Sequence, residues 1–267
     1  MITCKEYVEL RKTQLKDMNT FVPAPVLAIV QFGDEFASNK YVAGKLKDCK
    51  DVGIVAKHIT MPWNAKESVA KKLIETGIRG CDGVIIQLPV PEHINADKLL
   101  ELVKPEQDVD GFKQNSPYTA CTPKGVMTIL QVNGIELDGA IVTIIGRGKT
   151  VGKPLMYLML AANATVTVCH SHTENLTEHC INADVIISAV GHPNVVTADM
   201  VKEDAVIIDV GIHRDENGKQ IGDCDYPNLK DKCSFITPWV NGVGLLTRLS
   251  LMENVMIARA NKGKRGK

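Results

Sequence analysis

The sequence predicts an α/β protein of two domains: an N-terminal α/β domain with parallel strands and a Rossmann-like nucleotide-binding domain. Two observations carry this. Short apolar runs alternate with amphipathic stretches of helical period along most of the chain, the βαβα order of parallel sheets with crossover helices. One such run, Ile141-Val-Thr-Ile-Ile145, leads directly into the glycine-rich turn Gly146-Arg-Gly-Lys-Thr-Val-Gly152.

In chain order, residues 4–19 read as a helix that the pair Pro23 and Pro25 ends. Residues 26–32 are almost wholly apolar and predict a buried strand. Residues 37–52 place Val42, Leu46 and Cys49 at spacings of 4 and 3, an amphipathic helix closed by Gly53. A strand at 56–61, a helix at 66–77, a strand at 83–88 and a helix at 96–103 follow. Turn residues and two prolines at 112–123 predict a linker. A second series contains a helix at 123–132, a strand at 140–145, the glycine turn and a helix at 153–161. Strands at 165–169, 185–189, 206–210 and 234–236 come next, with helices at 174–181 and 197–203. Residues 245–260 form a last amphipathic helix. The expected domains are 1–118 with 248–267, and 119–247.

Composition excludes several function classes. Of 267 residues, 45% are hydrophobic and 23% charged, as in soluble globular proteins. Lys and Arg balance Asp and Glu at 31 each, so net charge gives no sign of a nucleic-acid or membrane partner. No run approaches a membrane span of about 20 apolar residues, and the first residues lack the apolar region of a secretory signal. The eight cysteines are scattered without a Cys-x-x-Cys pair, which argues against a metal or redox site and fits buried thiols in a cytoplasmic enzyme. The basic tail from Lys262 reads as a solvated, frayed terminus.

The glycine turn has the chemistry of a pyrophosphate cradle. Gly146, Gly148 and Gly152 permit the tight turn and close backbone approach, and the following helix offers unpaired N–H groups. Gly148-Lys149-Thr150 looks like the end of a P-loop, but the glycine that motif needs five positions earlier is Thr143. The ATPase reading therefore fails. The next strand ends Cys169-His170-Ser171-His172, without the acid that accepts a ribose 2′-hydroxyl in NAD sites. With Arg147 in the turn and the Ser171 hydroxyl nearby, the site suits a 2′-phosphate, hence NADP. His170 and His172 alone make no metal site.

A second constellation sits in the first half. Ser38, Tyr41 and Lys45 share a helix face. Tyr41 offers a ring for stacking and a hydroxyl near the ammonium. Gln87 ends an apolar strand, where an amide must be paired and where parallel sheets bind ligands. Leu88-Pro89 is a candidate cis peptide. Asp108 and Asp110 both suit turn capping, and that reading is kept for Asp108.

Together these residues carry a resemblance. The chain resembles the bacterial bifunctional methylenetetrahydrofolate dehydrogenase/methenyltetrahydrofolate cyclohydrolase family. The matching stretches are Ser38-x-x-Tyr41-x-x-x-Lys45, Gln87-Leu-Pro-x-Pro91, Asp108-Val-Asp-Gly111, Cys121-Thr-Pro-x-Gly125, Gly146-Arg147, Val151-Gly152-x-Pro154, His170-Ser-x-Thr173, Ile208-Asp-Val-Gly-Ile212 and Gly222-Asp223. The resemblance implies a site in a cleft between the two domains and a final helix that returns to the first. It implies Lys45 as the acid/base residue, Gln87 as its hydrogen-bonding partner, Tyr41 stacking on the folate and Asp110 holding the pterin. It implies Ser38, Leu88, Pro89, Gly242 and Gly244 at the folate. Around NADP it implies Gly146, Arg147, Gly148, Val151, Gly152, His170, Ser171, Thr173, Ala189, Gly211 and Ile212. It also implies tetrahydrofolate derivatives as ligands and a homodimer through the nucleotide domain.

The chain departs from the family pattern at two informative places. Gly148 replaces a serine, and the family's Pro-Gly-Gly-Val-Gly-Pro-Met-Thr loop reads Val240-Asn-Gly-Val-Gly-Leu-Leu-Thr247. Loss of both prolines predicts a less pre-organised loop. Two alternatives stay open at the level of sequence: a dehydrogenase with weak or lost cyclohydrolase activity, and a non-catalytic folate- or nucleotide-binding paralogue. A pure binder has no need of the lysine, which counts against the second.

Overall fold

In the computed structural model of the protein, which describes residues 1–265, the chain divides into two compact units. One comprises Glu9–Cys121 and Arg248–Lys267; the other comprises Met1–Val8 and Thr122–Thr247.

The elements begin with α1 (Cys4–Met18), β1 (Val26–Phe32), α2 (Phe36–Val52), β2 (Val55–Met61), α3 (Glu67–Gly77), β3 (Gly83–Ile86) and α4 (Ala96–Leu100). The first unit is built on a parallel sheet in the order β2-β1-β3. Its central strand has six successive buried residues, as a strand covered on both faces requires. Phe32, Met61, Ile74, Val84 and Leu99 form the core between this sheet and its helices. The sequence predicts β3 to residue 88 and α4 to residue 103, and both are shorter. Pro89 has no N–H to extend a ladder. After Leu100 the chain turns, and the Lys113 ammonium donates to the carbonyls of Leu100 and Val103.

The second unit follows with α5 (Cys121–Val132), β4 (Ile141–Ile145), α6 (Gly152–Ala161), β5 (Thr165–Cys169), α7 (Leu176–Cys180), β6 (Val185–Ser188), β7 (Val206–Asp209), β8 (His213–Arg214), β9 (Gln220–Ile221), α8 (Tyr226–Leu229), β10 (Phe235–Ile236) and α9 (Val243–Arg265). Its parallel sheet runs β10-β7-β6-β4-β5. The chain leaves β4 to one side for β5 and returns to the other side for β6, so the order reverses at β4. Ligands of open α/β sheets bind outside the carboxyl ends at such a reversal.

Two expectations are corrected here, and three short elements were not read from the sequence. The helix expected at 197–203 is only a 3₁₀ turn at Ala198–Met200, because Val196 pairs with Cys224 and Val201 is extended. The hairpin β8–β9 and the short helix α8 carry too few residues to show a period. The basic tail is not frayed at its start: α9 continues to Arg265, and Lys262 donates to Gly80 O and pairs with the buried Asp82 carboxylate at 3.0 Å. The rest of that tail, Gly266 and Lys267, lies outside the described residues. Among the described residues no helix is long and apolar enough to cross a membrane, and no cluster of His, Cys, Asp and Glu could hold a metal.

Candidate active site

The first unit gathers its polar groups at the carboxyl end of its sheet. Gln31 is the last polar position of β1 and is 2% exposed. It cannot stay unpaired there. Its Nε2 donates to Ser38 Oγ (3.1 Å) and Asn39 Oδ1 (2.7 Å), and its Oε1 lies 2.8 Å from His58 Nε2 on β2. Ser38, in the first turn of α2, is thereby fixed. One helical turn on is Tyr41, and one more turn brings Lys45.

Lys45 is 4% exposed. Its Nζ donates to Gln87 Oε1 at 3.0 Å and stands 4.9 Å from the centroid of the Tyr41 ring. The ring face of Tyr41 is thus presented to the ammonium. Gln87 turns its other amide atom to its neighbour, Nε2 donating to Leu88 O at 2.7 Å. Leu88 and Pro89 are exposed beside it, joined by a cis peptide.

Asp108 forms a parallel bridge to Val84 of β3. That register carries Asp110 to the same end of the sheet as Gln87. Asp108 itself is buried, and one carboxylate oxygen accepts Lys113 N–H at 2.8 Å, a turn-capping role. Burial holds the Lys45 ammonium below the ordinary lysine range, and the Asp110 carboxylate pulls the other way. The result is a lysine that releases a proton more readily than a surface lysine, held by an amide and a ring.

The second unit presents the glycine turn at the carboxyl end of β4. Gly146 has φ +112°, outside the range of ordinary residues, and a Cβ at Gly152 would collide with Gly146 O. The turn can close only with glycine at both ends. Space at Gly148 is open. Arg147 is exposed, and Val151 precedes the first turn of α6. At the end of β5, Thr173 Oγ1 accepts His170 N–H at 2.9 Å, and His170 Nδ1 accepts His172 N–H at 3.2 Å, with Ser171 exposed between them. Desolvation, then the Arg147 guanidinium, holds the His170 ring below its usual value. Arg147 therefore stands close to the end of β5, where no carboxylate follows the strand. Ala189 follows β6, and Gly211 and Ile212 follow β7, at the same end of the sheet. An open cradle, an exposed guanidinium and the absence of an acid at 170–173 fit a dinucleotide carrying a 2′-phosphate.

Two buried carboxylates, quoted above within the family motifs but given no role there, hold this end together. Asp223 accepts from Ser188 Oγ, from the backbone N–H groups of Val190, Gly191 and His192, and lies 3.0 Å from His213 Nε2. Asp209 accepts N–H groups of Gly211, Asp223 and Cys224. They tie the loops after β6 and β7 to one another. Gly211 has to be glycine because a Cβ would strike the Asp223 carboxylate.

The 240–247 segment carries cross-links that the sequence does not show. It has lost its prolines, but it is anchored. Trp239 Nε1 donates to Cys224 O at 3.2 Å, and Trp239 O accepts from Gln220 on β9. Asn241 takes the left-handed conformation, φ +62°, which asparagine adopts more readily than most residues. Gly242 O accepts Leu245 N–H at 3.0 Å, Gly244 lies in the first turn of α9, and Thr247 Oγ1 meets Thr122 Oγ1 at 3.0 Å. Hydrogen bonds and Asn241 supply the order that proline would otherwise give.

Comparison with known proteins decides the family. Residues 3–110 match the model of the tetrahydrofolate dehydrogenase/cyclohydrolase catalytic domain, and residues 120–263 match the model of its NAD(P)-binding domain. The chain belongs to the tetrahydrofolate dehydrogenase/cyclohydrolase family. It is 42% identical to the bifunctional protein FolD of Campylobacter hominis, covering 98% of this chain and 95% of that one. The FolD of Francisella tularensis subsp. novicida is also 42% identical, over 94% and 93%. Among solved structures, the bifunctional FolD of Campylobacter jejuni superposes with a TM-score of 0.93 at 37% identity, covering 97% and 98%. The Trypanosoma brucei family member, solved with NADP cofactor and an inhibitor, gives 0.92 at 26% identity over 98% and 97%.

Proposed function

We propose that the protein oxidises 5,10-methylenetetrahydrofolate to the 5,10-methenyl form with NADP⁺ and then hydrolyses that product to 10-formyltetrahydrofolate. The observation that carries this reading is the buried Lys45 ammonium, hydrogen-bonded to Gln87 and seated on the Tyr41 ring, in a unit that matches the family's catalytic domain. When bound, NADP⁺ accepts the hydride that leaves the methylene carbon. The chain's residues bind and orient. The Gly146–Gly152 turn and the N-terminus of α6 cradle the pyrophosphate, and Arg147 with Ser171 receives the 2′-phosphate. Val151, His170, Thr173, Ala189, Gly211 and Ile212 line that end of the sheet. Tyr41 gives the folate a stacking face, Asp110 accepts hydrogen bonds from its pterin, and Ser38, Leu88, Pro89, Gly242 and Gly244 border it.

Hydrolysis needs proton transfer. Water adds to the methenyl carbon and a carbon–nitrogen bond of the folate breaks. One proton of the water ends on that nitrogen and the other is released. Lys45 moves these protons, and Gln87 holds its Nζ in place. A lysine lowered by burial suits this work near neutral pH. The functional division follows as a folate part, 1–118 with 248–267, and a dinucleotide part, 119–247.

The protein further acts as a homodimer in the cytoplasm. Tyr157 and Leu160 on α6 and Ile141 on β4 are exposed on the dinucleotide unit, whose edge strand is β5, and among the described residues no cysteine forms a disulfide. Sedimentation equilibrium tests the dimer. The chemistry is tested by following methenyl-folate absorbance, which must rise with NADP⁺ and then decay. A rise without enzyme-dependent decay leaves a dehydrogenase alone; no rise refutes the proposal.

A further inference from the structure

Arg248 occupies an unusual place at the start of α9. Its guanidinium lies across α2 at Gly44, the residue before Lys45. A Cβ at Gly44 would collide with Nη1 and stand 2.8 Å from Cζ. The guanidinium fits only because Gly44 has no side chain. Its Nε lies 2.8 Å from Asp48 Oδ2, one helical turn along from Gly44. The Arg248 side chain is 20% exposed and that of Asp48 only 4%, so screening by solvent is weak.

We propose that Arg248 is a positioning residue: a fixed positive charge packed on α2 at Gly44, next to Lys45 in the chain, that helps set the pH range over which the cyclohydrolase works. This rests on the reading of Lys45 as the proton-transfer group. Like charges disfavour one another's ionised forms, and the effect is strong where both are buried. The charged and titratable groups facing Lys45 come from several elements. Asp110 opposes the effect, as do the Cys121 and Cys49 thiols if ionised, whereas Arg248 works with burial. On its own helix, Tyr41 presents its ring. Asp48 is shared between Arg248 and Lys12 of α1, which also reaches Asp51 at 2.9 Å. Asp48 therefore keeps a cationic partner when Arg248 is replaced, and Arg248→Met leaves no orphaned carboxylate. Nothing in the family resemblance assigns a role to this position.

The direct test measures protonation of Lys45 by NMR of ¹³Cε-labelled lysine, assigned by comparison with Lys45→Met. In Arg248→Met the Lys45 titration midpoint moves upward, because a like charge no longer disfavours its protonated form. The limb of the cyclohydrolase pH profile that follows this group moves with it. Arg248→Lys restores most of the wild-type midpoint. Gly44→Ala, which keeps every charge but displaces the guanidinium, moves it in the same direction as Arg248→Met. An unmoved midpoint in Arg248→Met, with the thermal midpoint and dehydrogenase rate retained, overturns the inference and leaves the function intact. Absence of any Lys45-dependent methenyl hydrolysis in the unmutated protein overturns the functional reading instead.

Discussion

At the scale of single residues, chemistry rests on groups whose surroundings change their ordinary properties. Lys45 is the clearest: a surface lysine is a solvated charge, but this one is buried, held by Gln87 and placed on a ring. Lys45→Met keeps the stem and removes the proposed proton carrier. Methenyl hydrolysis should fall by roughly 10²–10⁴-fold, read from the decay of methenyl absorbance. Wild-type decay in that variant would falsify the assignment. Arg147 is the second case. Arg147→Ala should narrow the preference for NADP⁺ over NAD⁺, because the guanidinium is the group proposed to receive the 2′-phosphate. The check is the ratio of kcat/KM for the two cofactors before and after substitution. Equal ratios would move 2′-phosphate recognition elsewhere. Gly148, where a hydroxyl residue would add a further contact, makes the expected preference modest. Gln87 and Arg147 were legible in the sequence because a polar residue that ends or follows an apolar run stands out, whereas Lys45 was legible through the helix face it shares with Ser38 and Tyr41 and through the family motif. Gln31 carries the same mark, but its partners Ser38, Asn39 and His58 come from two other elements.

At the scale of elements, order comes from cross-links between short segments. The loop before α9 is held by Trp239, Gln220 and Asn241. Restoring the family residues through Val240→Pro, Asn241→Gly and Leu245→Pro should therefore leave the folate KM within about a factor of two, the range of ordinary surface changes. A tenfold fall in KM would mean that loop ordering still limits binding. Trp239→Phe, which removes the indole donor to the Cys224 carbonyl but leaves it the Tyr226 N–H, should destabilise the protein by about 1 kcal/mol in urea unfolding. Sequence reasoning pointed to the missing prolines but not to the substitute bonds. Gln220 lies in a hairpin strand of two residues, too short for any period.

At the scale of the whole molecule, Asp209 couples stability to pH. Burial, opposed by its backbone N–H partners and reinforced by Asp223, raises the Asp209 carboxyl from 3.8 to about 6. Below about pH 4 both folded and unfolded forms are protonated. Between about 4 and 6 the unfolded form has ionised while the native form retains its proton, so this group's contribution to stability falls as pH rises. Above 6 the penalty is constant, on the order of 3 kcal/mol. Asp209→Asn removes this titration and also turns an N–H₂ toward backbone donors. Its deficit against wild type in urea unfolding should therefore be larger at pH 4 than at pH 7. A deficit independent of pH would place the Asp209 proton elsewhere. Cofactor linkage gives a second global readout. NADP⁺ at about 100 times its Kd should add about 2.7 kcal/mol and raise the thermal midpoint more than equimolar NAD⁺ does. Equal shifts from the two cofactors would contradict the reading of the site at 170–173.

Local patterns settled much of this protein. Apolar runs and helical spacing decide strands and helices residue by residue, so β1 and β5 have the bounds read from sequence. The Gly146–Gly152 turn is legible because three glycines after an apolar strand have one main use. Short elements and pairings between distant segments were not legible. The Asp209–Asp223 pair joins residues fourteen apart in sequence, and Arg248 meets Gly44 and Asp48 about two hundred positions away. A carboxylate in a turn and an arginine on a helix look the same in sequence whether they are solvated or buried. Only the fold removes the water around them, and the strength of a charge depends on that removal.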